Sequence, residues 1–175
     1  MASVMRPPIT AKPGLAMFAC LKLRMNKMEY PLTHQMQPTK DTCMSTCLAM
    51  LLGRPVAEVA ETWHESFANW ETTIGDVLCM EGVPFLCGKG VNQTVTIYHD
   101  YVYLLCVPSP ATPGILHQII MDTRGDKVVI HDPLKGTGKR YYTLDEDDKS
   151  PLAVKLETWI VDYIVDPYEV GGYRG

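Results

Sequence analysis

Cys43 stands where a helix should begin, and Gln37 lies six residues before it in the segment QPTKDTCMSTCLAM, residues 37–50. A thiol is a good nucleophile only as its thiolate, and the partial positive charge at a helix N-terminus favours that form. A glutamine amide close by can donate a hydrogen bond to the oxyanion that develops during acyl transfer. Such a nucleophile needs a base, and the base needs a group that orients it.

The chain has five histidines, and two of them, His117 and His131, fall in a pair of strand-like runs. Residues 115–122 and 127–132 are divided by Thr123, Arg124, Gly125 and Asp126. A four-residue loop of those residues places His117 directly opposite Asp132, with Ile119 opposite Ile130 and Met121 opposite Val128 on the same face. Opposed residues have Cβ atoms about 4.5–5.5 Å apart, within reach of a histidine–carboxylate hydrogen bond. His131 points to the other face with Gln118 and Asp122. An odd-length loop would change the register and separate the pair.

Each residue also has a plain structural reading. A cysteine at a helix start is commonly just packed, and a histidine that begins a strand is commonly satisfied by a backbone carbonyl. Asp132 before Pro133 suits a strand ending in which the carboxylate bonds its own backbone. Gln37 suits a polar loop. What favours chemistry is their co-occurrence: the order, the Gln37–Cys43 spacing and the opposition of His117 and Asp132 in one hairpin.

The elements that must position these groups are helices first and strands second. Asp41 is a suitable N-cap, Cys43, Cys47, Met50 and Leu51 share a helix face, and Gly53 ends that helix. Pro55 opens a second helix from Val56 to about Phe67, with Val56, Val59, Ala60 and Trp63 inward. Thr72 or Thr73 caps a short third helix through Ile74, Val77, Leu78 and Glu81, stopped by Gly82 and Pro84. Strand signals follow at residues 101–107, 115–122 and 127–132. A last one, residues 159–165, has Trp159, Val161, Tyr163 and Val165 on one face. This is an α+β arrangement, with N-terminal helices packed on a C-terminal antiparallel sheet.

The totals bound the function. At 175 residues the chain suits one domain with a real core. A formal net charge of −4 argues against a nucleic-acid backbone as partner. No apolar run approaches the roughly 20 residues that span a bilayer, so no membrane partner is expected. Of the six cysteines, Cys43 and Cys47 share one predicted helix, Cys79 closes another helical stretch and Cys106 lies in a strand-like run, and there is no CxxC pair. They read as free thiols of a reduced, cytoplasmic protein without a structural zinc site. Residues 1–28, rich in methionine and proline without periodicity, read as a loosely ordered arm. Residues 29–167 form the domain and 168–175 a flexible tail.

In combination these motifs resemble the C39-like cysteine peptidases of the papain-like group. That family's pattern is Gln, five residues, Cys, then Gly-x-(Ala/Ser/Thr)-(Cys/Ala)-Leu-x-Met on a helix. A His-initiated strand and an Asp-Pro-x-x-Gly segment come later. Here the matching positions are Gln37, Cys43, Thr46, Cys47, Leu48 and Met50, then His117, Asp132, Pro133 and Gly136. The resemblance covers roughly residues 30–165 and is similar to the stand-alone form, without the membrane and nucleotide-binding parts of transporters that carry such a domain. It implies a papain-like fold, Cys43 as nucleophile, His117 as base, Asp132 as its orienter and Gln37 as oxyanion donor. A peptide or protein substrate and no cofactor or metal are implied with it. The family usually has glycine after the nucleophile, and Met44 departs from this. An acyltransferase or amidase using the same thiol, or a non-catalytic binding module, are the other readings.

Overall fold

The structure, a computed structural model, describes residues 32–88 and 95–165. The expected arm and tail lie outside the described residues. Three helices come first: α1 (Cys43–Leu52), α2 (Val56–Ala68) and α3 (Ile74–Met80). Seven strands follow: β1 (Phe85–Cys87), β2 (Val102–Pro108), β3 (Leu116–Asp122), β4 (Val129–His131), β5 (Tyr141–Thr143), β6 (Ala153–Lys155) and β7 (Ile160–Val165). The α+β order expected from the sequence is present. The main sheet is antiparallel in the order β1-β7-β2-β3-β4, and β5 and β6 form a separate parallel pair that the sequence pattern did not announce.

The helices end where their punctuation says. Gly53 adopts φ 64° and ψ 30° and turns its N–H back to the Ala49 and Met50 carbonyls, a left-handed cap that glycine takes without steric cost. Thr73 and Asp76 form a reciprocal capping box at the head of α3. At the head of α1 the expectation needs correction. Thr42, not Asp41, is the N-cap, and its side chain makes no capping bond. Its hydroxyl is held by the Thr39 backbone instead, while Asp41 accepts from the Thr39 hydroxyl. The first-turn N–H groups of α1 therefore carry no side-chain cap.

Helix α1 is the central strut. Its residues Ser45 to Leu52 are all buried, and Leu48 and Leu51 are fully so. They meet Val77 and Leu78 of α3 and Leu104, Ile120 and Val165 of the sheet in one core. A second core lies on the opposite sheet face, built from Tyr103, Leu105, Ile119, Met121, Ile130, Leu156 and Val161. The sheet is thus buried on both sides, which suits the nearly unbroken burial of β2 and β3.

Two register details differ from simple alternation. The β3–β4 pairing matches Ile120 with His131, Met121 with Ile130 and Asp122 with Val129. The loop is residues 123–128 rather than 123–126, and the pairing is displaced by two residues from the expected one. Thr123 is drawn out of the turn because it exchanges backbone bonds with Asp100 and Tyr101. Asp122 meanwhile accepts the Arg124 N–H and its guanidinium. The second detail is in β7. Leu104 pairs with Tyr163 but Leu105 pairs with Val161, so Asp162 is an extra, bulged residue. The bulge divides the face expected for Trp159, Val161, Tyr163 and Val165. Tyr163 and Val165 pack with the helices, Val161 joins the opposite core, and Trp159 stays exposed.

Leu48→Ala should lower stability by about 2–5 kcal/mol, because it removes a fully buried side chain from the strut that presents Cys43. Urea unfolding of the purified chain measures this, and a loss below about 1 kcal/mol would contradict the central position of α1.

Candidate active site

Cys43 is the first residue of α1, half-buried, with the uncapped N-terminal turn behind it. The His117 ring and the backbone amides of Gln118 and Met44 face its sulfur closely enough to favour the thiolate. His117 lies in β3, opposite Val107 of β2, and is 5% exposed. Its Nε2 stands 2.7 Å from Asp132 Oδ1, which leaves Nδ1 as the ring nitrogen for the sulfur. Asp132 follows directly on β4 and has no exposure.

The two-residue displacement of the hairpin explains how this pair survives a register that was misread. A shift of two keeps every side chain on its face, whereas a shift of one would have reversed it. His117 and Asp132 are therefore not opposed residues but diagonal neighbours, and Asp132 reaches back from beyond the end of β4.

Asp132 is also held from two other directions. Its Oδ1 accepts the Leu134 N–H at 2.8 Å, and its Oδ2 accepts the Tyr142 N–H at 2.6 Å. The first is the local turn bond expected of an aspartate before proline, so the structural and the site readings of Asp132 hold together. The second comes from β5. Tyr142 was absent from the expected site because it contributes a backbone N–H, which any residue type could supply. Gln118 was likewise unforeseen: its amide meets Cys43, and its carbonyl accepts the Cys47 thiol at 3.3 Å.

Gln37 is buried at the entrance to α1. Its backbone N–H donates to the Pro133 carbonyl at 3.0 Å, so the loop before Cys43 is tied to the turn after Asp132. Its Nε2 donates to the Thr39 carbonyl at 2.7 Å, which occupies one amide hydrogen and leaves one. Its Oε1 is buried without a hydrogen-bond partner. Gln37 makes no hydrogen bond to Cys43, His117 or Asp132 among the described residues. Met44 is half-buried and packs against the helix-side core.

The electrostatics separate the thiols. Burial pushes the Cys43 thiol up, but the hydrogen bond and charge of His117, with the Gln118 and Met44 amides, bring it below the ordinary thiol value. Burial acts alike on the His117 ring by lowering it, yet Asp132 and Cys43 more than reverse this and raise it to about 9. A lowered thiol beside a raised imidazole shifts the pair toward thiolate and imidazolium together. Cys47, fully buried one turn later, is pushed well up by burial and by the Cys43 charge. Cys106 is raised to about 11 for the same first reason. His131, the other strand histidine, is lowered to about 4 by burial and pairs with Ile120, on the face of Gln118 and Asp122 rather than that of His117, as expected. No group of three or more histidine, cysteine or acidic residues among the described residues is placed to hold a metal ion.

No protein-family model, no curated protein and no solved structure matches this chain.

The imidazole of His117 should titrate near 9 when followed by NMR of ring-labelled protein, and Asp132→Asn should move it down by removing the anion that holds its proton. A wild-type titration at the ordinary histidine value of about 6.5 would show that the charge coupling is absent.

Proposed function

We propose that this chain is a cysteine peptidase of the C39-like, papain-like kind, cleaving peptide or isopeptide bonds. The observation that carries the reading is the continuous relay of Cys43, His117 and Asp132, in which one thiol is lowered and one imidazole raised. This arrangement stores a nucleophile and an acid side by side. A cysteine kept only for packing gains nothing from either.

In this mechanism the Cys43 thiolate attacks the substrate carbonyl carbon, and the C=O π pair moves to oxygen. The Cys43 backbone N–H and the uncommitted Nε2 hydrogen of Gln37 hold that oxyanion. His117 gives its Nδ1 proton to the departing amine as the C–N bond breaks, leaving an acyl thioester on Cys43. The now neutral imidazole takes a proton from water, the hydroxide attacks the thioester carbonyl, and the C–S bond breaks to release the carboxylic acid and restore the Cys43 thiolate beside the His117 imidazolium. Asp132 holds Nε2–H throughout, so the ring keeps one tautomer and the carboxylate stabilises its positive charge. No step calls for a metal or an organic cofactor. Met44, which stands where the family usually has glycine, is half-buried and packs against the helix-side core. Free thiols in all five described cysteines accord with a reducing, cytoplasmic setting. No helix among the described residues is long and apolar enough to cross a membrane.

At pH 6, iodoacetamide should alkylate Cys43 well before the other cysteines, and His117→Ala should abolish that lead; uniform slow labelling would sink the activated thiolate. Incubating wild type and Cys43→Ala with proteome extracts and comparing new peptide termini identifies the cleaved bonds.

The pH dependence has a definite sign. Hydrolysis should rise as Cys43 ionises below the ordinary thiol range and fall above pH 9 as His117 loses the proton it must donate. Alkylation, which needs only the thiolate, should show the rise without the fall. A hydrolysis rate still climbing beyond pH 10 would contradict the acid role of His117.

Gln37→Ala should cost about 100- to 1000-fold in kcat, the usual loss for one oxyanion donor, with Cys43 alkylation little changed. Equal losses in both measurements would place Gln37 in the scaffold instead.

A further inference from the structure

One half-buried acid, joined to Gln118, takes no part in the mechanism. Asp162 is the bulged residue of β7, and the bulge brings its carboxylate to Gln118, whose Nε2 donates to Asp162 Oδ2 at 3.0 Å. Gln118 thus spans the site: its backbone N–H meets the Cys43 sulfur, and its side chain ends on Asp162. Cys106 pairs with Gln118 across β2 and β3 and feels the charge of both Asp162 and Cys43. The only hydrogen-bond donor to this carboxylate is a neutral amide, and no lysine, arginine or histidine pairs with it among the described residues. Burial accordingly holds its carboxyl above the usual carboxylate range, with the Gln118 amide opposing.

With no counter-charge among the described residues, this partly desolvated carboxylate lacks half of an ion pair there. Asp132, by contrast, is fully buried but meets three donors, one of them a protonatable ring. Asp162 stands one glutamine side chain from the nucleophile and keeps partial solvent access.

We propose that Asp162 is a specificity residue that selects a cationic substrate side chain within two residues of the carbonyl attacked by Cys43. This rests on the peptidase reading above. The substrate's ammonium or guanidinium completes the ion pair, and Gln118 passes that occupancy to the backbone amide at the thiol. Asp162→Asn is the informative variant, since the new amide oxygen still accepts from Gln118 and the charge alone is lost.

Three methanethiosulfonates of similar size probe this: the aminoethyl (cationic), methyl (neutral) and sulfonatoethyl (anionic) reagents. In each case the Cys43 thiolate attacks the sulfenyl sulfur, a disulfide forms and methanesulfinate leaves. Labelling at Cys43 is read by peptide mass, so the other cysteines do not interfere. Wild type should react with the cationic reagent about 10-fold faster relative to the neutral one than Asp162→Asn does, the scale of a charge-assisted hydrogen bond. The neutral rate should agree between the two within about 2-fold. Glu65→Gln, an exposed change of the same net charge on α2, controls for the overall field and should leave the ratio unaltered. A companion pair of peptide amides, with lysine or norleucine next to the scissile bond, should show the same variant-dependent ratio in kcat/KM. Equal ratios in wild type and Asp162→Asn would overturn the specificity role while leaving the thiol reading intact. A slow neutral reaction at Cys43 in wild type would instead overturn the peptidase reading on which it stands.

Discussion

The hydrogen bond between His117 and Asp132 is the constraint on which this molecule turns. A carboxylate without solvent contact costs several kcal/mol unless donors surround it. Asp132 meets that cost through an imidazole N–H and two backbone N–H groups, from Leu134 and Tyr142. Those donors belong to the third strand, the turn after the fourth and the start of the fifth. One charge therefore joins the main sheet to the small parallel pair. It also fixes which ring nitrogen faces Cys43, so structure and proposed chemistry draw on the same bond.

Three cysteines around that bond show how little a residue type says without its surroundings. Cys43, Cys47 and Cys106 lie near one another, and burial raises all of them. Only Cys43 has an imidazole beside it and backbone amides aimed at its sulfur, and only Cys43 ends below the ordinary value. The unused cap on the first helix belongs to the same design. With the Thr42 hydroxyl occupied by Thr39, no side chain neutralises the positive end of the helix at the thiol.

Packing and chemistry meet again at Gln118. This residue sits on the helix-facing side of the third strand, binds Cys43 and Cys47 through its backbone, and reaches the bulge of the seventh strand through its side chain. The bulge is a local break in pairing, yet it decides which way Asp162 faces. A regular strand would have kept Val161, Tyr163 and Val165 on one face. The extra residue moves the acid to the thiol's side of the sheet.

Local order was the legible part. Helix starts and stops at Gly53, Pro55 and Thr73 follow from backbone chemistry carried by those residues themselves, and so did the α+β order. The shared face of His117 and Asp132 was legible because strand alternation has a period of two and tolerates a shift of two. The exact opposition was not, since Thr123 is recruited by residues 100 and 101, well upstream in the chain. The three-residue strands are too short to show a period. The donors from Gln118, Leu134 and Tyr142 are main-chain atoms, which leave no mark in the residue names. By itself, then, the sequence determined which groups could react and which faces they would share, because both are properties of side chains and short-range periodicity. Tertiary structure alone decided which groups surround each thiol, which donors hold Asp132 and where Asp162 points. Burial and backbone donors arise only when segments distant along the chain come into contact.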